Sequence, residues 1–294
     1  MDVSILIVSK NRKQALEKTL MLLKPMLDFS KHEVLVFLDG CTDQSNSLIE
    51  TIPWVTWSFV NESIGASKAR FRLYKKAMGT YFIGFDDDAH PLCSDFIART
   101  ITIFNKHTNV GVLAFEEIKG LFNSDEEALK RWSSKPCEYL TNEFIGCGFA
   151  IRSDVYKETR GFPVWMEIYG EESCVSIEVL SKGYDILFTN AIKVNHRVDK
   201  EARKRSGKNY YRFEQQLKNT TGYYLIYYKN PLIKILKLYW HNFKKYALTD
   251  FTCFKLFFKV LLGLWQAFPI MVKYRQPVNR NIINRSAKLK SLKY

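Results

Sequence analysis

The sequence has no CxxC pair, no Cys/His cluster at zinc spacing, no internal repeat and no low-complexity segment. The six cysteines, at positions 41, 93, 137, 147, 174 and 253, suit neither a zinc site nor a redox dithiol and are expected to be reduced and mostly buried. The apolar stretch before Ser9 is too short for the core of a secretory signal, so a cytosolic chain is expected. The uncharged run at 260–272, bounded by Lys259 and Lys273, is too short to span a bilayer, and no transmembrane helix is expected. Acidic residues are scarce at one end. From residue 191 onward there are 23 Lys+Arg against four Asp+Glu, a balance of +19 in a chain of net charge +14, which leaves −5 for residues 1–190.

What is present is a large apolar content: 47% of 294 residues are hydrophobic and 15% aromatic. This excludes a disordered tail or a small stapled scaffold and predicts one large α/β domain or two smaller ones. The acidic front and basic back read as an electrostatic footprint for an anionic partner, nucleic acid or membrane headgroups, with a solvated basic tail as the alternative.

Residues 3–8 (VSILIV) form an apolar run rich in β-branched side chains, followed by a polar turn and a helical pattern through Leu16, Leu20 and Leu23. The pattern recurs at 33–38 (EVLVFL), followed by a turn and a helix through Leu48 and Ile49. A third strand is expected near 55–60, a helix over 65–77, and a strand at 81–85 that runs into three aspartates. Further strands are expected at 110–115, 144–152, 184–188 and 192–194, and a helix from Glu171 to Gly183. The polar segment 119–142 predicts a long, functional or mobile loop. Alternating strands and helices with short loops predict a mainly parallel sheet covered on both faces, with ligands at the carboxyl ends of its strands. From Tyr210 the sequence reads as helices.

Asp86, Asp87 and Asp88 stand at such a strand end, and side-chain alternation points Asp86 and Asp88 to one side, as a hard cation requires. The same triplet before Pro91 also suits helix capping. Asp39, in LDGCTD, is placed to accept from a base or ribose, or to close a turn. Arg70, on the helix before the aspartates, is placed for a phosphate or base, or for solvent. Glu171 and Glu172 open a helix, where acids favour the dipole, and a carboxylate there can also serve as a general base. His196 suits a metal ligand or a structural histidine.

Taken in order, VSILIVSKNR, EVLVFLDGCTD, IGASKARFRLYKKAMGTYFIGFDDDAHP, IGCGFAIRSDVYKETRGF and YGEES resemble the family 2 glycosyltransferases of GT-A fold, over about residues 2–200. The resemblance implies a Rossmann-like GT-A domain with a nucleotide-sugar half at 1–115, an acceptor half at 116–205 and a helical, basic, aromatic extension at 206–294. It implies that Val8, Asn11, Asp39, Arg70, Asp86 and Asp87 bind the nucleotide, and that Asp88, Asp86 and His196 hold Mn²⁺ or Mg²⁺ within a D-x-D motif. Glu172 falls where the family's catalytic Asp stands, with Glu171 as the acid before it. Val8 replaces a frequent base-reading Thr, Phe71 a frequent Asn, and Glu172 is one methylene longer than Asp.

The activity so implied is a single in-line displacement with inversion: Glu172 deprotonates an acceptor hydroxyl while cations stabilise the departing nucleoside diphosphate. The donor is a UDP-, dTDP- or GDP-linked sugar, and the acceptor a saccharide or lipid-linked saccharide, as in surface polysaccharide assembly. Segment 119–142 is expected to close over the donor. Stretches 223–228, 232–240 and 254–271 mix Lys with Phe, Trp, Tyr and Leu, as interfacial helices do. This predicts peripheral attachment to the anionic inner face of the membrane, with packing on the catalytic domain or a homodimer contact as the alternative. The rival readings are a nucleotidyltransferase-like enzyme and a membrane-associated homologue without turnover. No P-loop or RNA-recognition motif is present, and no nucleic-acid partner is expected.

Overall fold

The structure is a computed structural model that describes residues 1–131, 135–205 and 207–292. The first elements alternate: β1 (Val3–Ser9), α1 (Lys13–Leu23), β2 (His32–Asp39), α2 (Leu48–Thr51), β3 (Thr56–Val60), α3 (Ala66–Tyr74) and β4 (Tyr81–Asp86). Apolar runs without polar alternation require both strand faces to be covered. Ile5, Ile7, Val34, Val36, Ile83 and Phe85 pack on one side of the sheet. Leu6, Leu35, Phe37 and Phe82 pack on the other. These four strands pair in parallel in the order β3-β2-β1-β4, as the alternation predicts.

Beyond β4 the sheet is mixed. The elements are β5 (Ala89–Pro91), α4 (Phe96–Lys106), β6 (Val110–Lys119), α5 (Asp125–Arg131), β7 (Glu138–Thr141), β8 (Gly148–Arg152), α6 (Ser153–Glu158), α7 (Glu171–Ser181) and β9 (Asp185–His196). β8 runs antiparallel between β4 and β6, β9 is parallel to β6, and β5 and β7 lie antiparallel on β9. Periodicity reports burial, not pairing direction, so the antiparallel insertion left no trace in the strand pattern.

Segment 119–142 is not one loop. It contains α5 and β7, with Leu140 opposite Leu187 on β9, while its residues 132–134 lie outside the described ones. Acids at Asp125, Glu126 and Glu127 and bases at Lys130 and Arg131 suit the dipole of α5. The strands predicted at 184–188 and 192–194 are one strand, β9, with an irregularity in its pairing to β6. The strand expected from 144 begins only at Gly148. Of the six cysteines, all unpaired, Cys147, Cys174 and Cys253 are buried while Cys137 is exposed.

The C-terminal region is helical: α8 (Lys200–Arg205), α9 (Tyr210–Tyr227), α10 (Leu232–Asn242), α11 (Phe251–Lys273) and α12 (Arg280–Lys288). It packs on the α/β part through α9 and through Ile282 and Ile283 of α12. The Tyr227 hydroxyl donates to Glu178 on α7 at 2.6 Å, and Glu178 also receives the Arg160 guanidinium. The helix α11 outruns the uncharged stretch that the sequence marks out, and by length and composition it is long enough to cross a membrane. Its Cys253, Phe257, Val260 and Met271 are nonetheless buried within the protein, with Phe257 and Val260 clustered on Leu217 of α9 and Met271 on Ile226.

Candidate active site

Strand register assembles the site. Val8 pairs with Asp86 across β1 and β4, and Ala89 pairs with His196 across β5 and β9. The aspartate triplet therefore lies beside the last residue of a strand more than a hundred positions away. A cleft of about 980 Å³ opens over these strand ends. Val8, Asp39, Arg70, Asp86, Asp87, Asp88, Glu171, Glu172 and His196 all line it.

Asp86, Asp88 and His196 each offer a ligand atom, all within 4.8 Å of one another. Asp88 is 4% exposed; its carboxylate accepts from Arg12 Nη2 at 2.5 Å and lies 3.2 Å from His196 Nε2. The other ring nitrogen of His196 is 2.5 Å from Glu117 Oε1. Burial opposes a charge on this imidazole, yet the hydrogen bonds to Asp88 and Glu117 push it up to about 9. Burial likewise works against the Asp88 carboxylate, but His196 and Arg12 bring it below the usual range. Two carboxylates and an imidazole that gives up its proton to an incoming ion match a divalent cation, with the nitrogen favouring Mn²⁺ over Mg²⁺. The Glu117 contact is of the kind that would orient His196 toward such an ion.

Asp87 turns the other way. It accepts from Ser9 Oγ at 2.7 Å and pairs with Arg12 at 3.1 Å, and burial pushes it up to about 7 against Arg12 and Ser9. Its side chain thus braces Arg12. Asp39 lines the cleft at 2% exposure, but both oxygens are taken, by Ser63 Oγ and by the backbone N–H groups of Ile64 and Gly65 at 2.7–3.0 Å. It holds the loop from β3 into α3. Asn11 is not among the cleft-lining residues. Its φ of 55° turns the side chain away, where Oδ1 accepts from Thr42 N at 2.6 Å. Its neighbour Arg12 lines the cleft instead.

Arg70 joins the two carboxylate groups. Only 11% of its side chain is exposed, and it pairs with Asp86 at 2.8 Å, Glu171 at 2.7 Å and Glu172 at 3.3 Å. Gly170, at φ 106°, starts α7 and sets both glutamates in its first turn. On the preceding turn Tyr169 has φ 71°, and Asn219 Nδ2 of α9 holds that turn by donating to the Ile168 and Tyr169 carbonyls. Glu171 is buried, and among the described residues its Oε2 has no hydrogen-bond partner. Glu172 keeps 21% of its side chain open. Burial and the negative charge of Glu171 outweigh Arg70 and push Glu172 up to about 8; Glu171 also moves up, mainly through burial.

Gly146 permits this approach, because a Cβ there would meet Arg70 Nη2 and Glu172 Oε1, each at 2.6 Å. Gly146→Ala is expected to lower kcat by about 10²-fold while leaving the thermal transition near that of wild type, since a shift of about 1 Å at a reacting group costs that much. Parallel kinetics and calorimetry of the variant check this. Sequence reading missed Arg12, Glu117 and Gly146. Arg12 and Gly146 lie inside quoted motifs, but Glu117 carries no signal, since only the pairing of β6 with β9, which sets it opposite Val194, brings its side chain to His196.

Residues 4–158 match the family model described as Glycosyl transferase family 2. No curated protein matches in sequence. Among solved structures, GalNAc-T7 with UDP, GalNAc and Mn²⁺ is similar at TM-score 0.60 and 16% identity. The match covers 80% of this chain and 49% of that one, so this chain spans about half its length. TarS of S. aureus in complex with UDP-GlcNAc is similar at TM-score 0.61 and 15% identity, over 91% of this chain and 81% of that one. The mannosyltransferase PcManGT from Pyrobaculum calidifontis, with GDP-Man and Mn²⁺, gives TM-score 0.56 and 16% identity, over 97% and 83%. At such identities the likeness is one of fold, the GT-A fold. The family match is of another kind, because it runs along more than half of the chain, from β1 through the aspartates to α6, and on it this protein belongs to glycosyl transferase family 2.

Proposed function

We propose that this glycosyltransferase is inverting, that it takes its sugar from a nucleoside-diphosphate donor, and that Glu172 is its general base. The carrying observation is that, of two adjacent carboxylates that share one guanidinium and line the cleft, Glu172 keeps 21% of its side chain open and Glu171 only 3%. Arg70 ties that base to Asp86, at the end where a diphosphate would lie. The donor is a sugar nucleotide such as those named for TarS and PcManGT, and the acceptor is a hydroxyl of a saccharide or lipid-linked saccharide. Residues 1–115 take the donor and residues 116–205 the acceptor.

Asp86, Asp88 and His196 would hold Mn²⁺, which when bound supplies positive charge to the leaving diphosphate. Arg12 stands beside the same carboxylates and adds fixed positive charge on the donor side. Glu172 removes the proton of the attacking hydroxyl, and Arg70 holds its carboxylate in place. Glu171, behind it, keeps Arg70 oriented.

A base works only when deprotonated, so a raised pKa makes activity climb with pH. We expect kcat/KM to rise about tenfold per pH unit below a midpoint near 8. The anomeric configuration of the product, read by NMR at early times, tests inversion. A product that retains the donor configuration, or a rate flat from pH 6 to 8 (about ordinary carboxylate behaviour), would remove Glu172 from this role.

A further inference from the structure

Helices α10 and α11 carry many exposed apolar side chains. On α10, Ile235, Leu238 and Phe243 of the turn that follows pack inward with Tyr239, while Leu232, Ile233, Leu236 and Trp240 are 59–72% exposed. On α11 the buried stripe has an equally apolar opposite face, where Leu262 is 69%, Trp265 84% and Phe268 54% exposed. Scattered apolar residues are normal on a surface, but two adjoining helices whose outer faces carry this many exposed Leu, Ile, Phe and Trp side chains among their lysines need a partner.

Charge selects the partner. Residues 229–294 hold fourteen Lys and Arg and a single acid, Asp250, which is itself paired with Lys208 at 2.8 Å. Lys244 lies 4.5 Å from the Trp240 ring centre, and Lys255 4.5 Å from that of Phe251. A second copy of the chain would bring the same positive charge to its own like. An anionic bilayer supplies what this face lacks: headgroups for the lysines and a boundary for Trp and Phe.

We infer that α10 and α11 form a docking face for an anionic membrane, lying in the plane of the headgroups. The packing of α11 sets that orientation: Phe257, Val260 and Met271 are committed to the protein, and Lys255 and Lys259 interrupt its first half, so crossing the bilayer would strip its inner stripe. The face also adjoins the cleft. Leu238 and Asn242 of α10, with Gln216 and Thr220 of α9, line the cleft on this side. Resting on the transferase reading above, this makes the acceptor one that is anchored in the lipid and enters past α10.

The test is co-sedimentation of the full chain with vesicles of phosphatidylcholine alone and of equal parts phosphatidylcholine and phosphatidylglycerol, alongside calorimetric binding of UDP and GDP. We expect at least about tenfold stronger partition to the anionic vesicles, weakened by salt. Leu236→Glu and Trp265→Glu should abolish it, Lys237→Gln with Lys255→Gln should reduce it, and none should alter nucleotide binding. Loss of nucleotide binding with vesicle binding intact would sink the transferase reading and leave the membrane face standing. Failure to bind either vesicle would overturn the inference, as would a dimer in sedimentation equilibrium that Trp265→Glu dissociates. Resistance to alkaline carbonate extraction from cell membranes would also overturn it, in favour of a spanning α11.

Discussion

Glu172→Gln is expected to lower kcat by about 10²–10⁴-fold, the range that a positioned general base contributes, while calorimetry finds nucleotide diphosphate binding unchanged. The amide keeps the size and the contact with Arg70 but cannot accept the hydroxyl proton. Glu172→Asp places a carboxylate one bond further back on the same first turn of α7 and should recover much of the rate. Glu171→Gln separates positioning from chemistry. Without the neighbouring negative charge that raises Glu172, the base ionises at lower pH, so the rising limb of the kcat/KM profile should move toward lower pH. A Glu172→Gln enzyme within about threefold of wild type would place the base elsewhere.

The second large effect is expected at Asp88. Asp88→Ala should weaken Mn²⁺-dependent nucleotide binding by at least about 10²-fold, measured by calorimetry with and without the ion. Even a partner that only orients a ligand is worth about 10–100-fold, and that smaller loss is expected for Glu117→Gln through its contact with His196. Thermal unfolding in the absence of Mn²⁺ should show that Asp88→Ala is folded. Unchanged ion-dependent binding in that variant would remove the three ligands from the reading.

The candidate site was legible where its residues stand at the ends of apolar strands. Val8, Asp39 and the aspartates 86–88 close β1, β2 and β4, and a parallel sheet brings such ends to one edge. The glutamates were legible from their place after the turn at Gly170. What the pattern did not reveal is which of these side chains is already engaged. Asp39 is engaged by the loop from β3 into α3, Asn11 faces Thr42, and Asp87 holds Arg12. Hydrogen-bond saturation depends on where a second segment passes, and a sequence window does not contain that segment. The same reason hid α5 and β7 within 119–142: β7 is fixed by pairing with β9, not by its own periodicity.

By itself the sequence determined most of the local elements, the α/β class and the basic, aromatic character of the C-terminus, because burial on both faces of a strand and one-sided charge are written in composition and period, while the family was carried by the order of its motifs. Tertiary structure alone decided the mixed pairing beyond β4, the meeting of Asp88 with His196 and Glu117, the sharing of Arg70 among Asp86, Glu171 and Glu172, and the division of α10 and α11 into a packed stripe and an open one. An amphipathic pattern states that a helix has apolar surface. On α11 both stripes are apolar, and only the placement of α9 determines which of them meets protein and which is left for another surface.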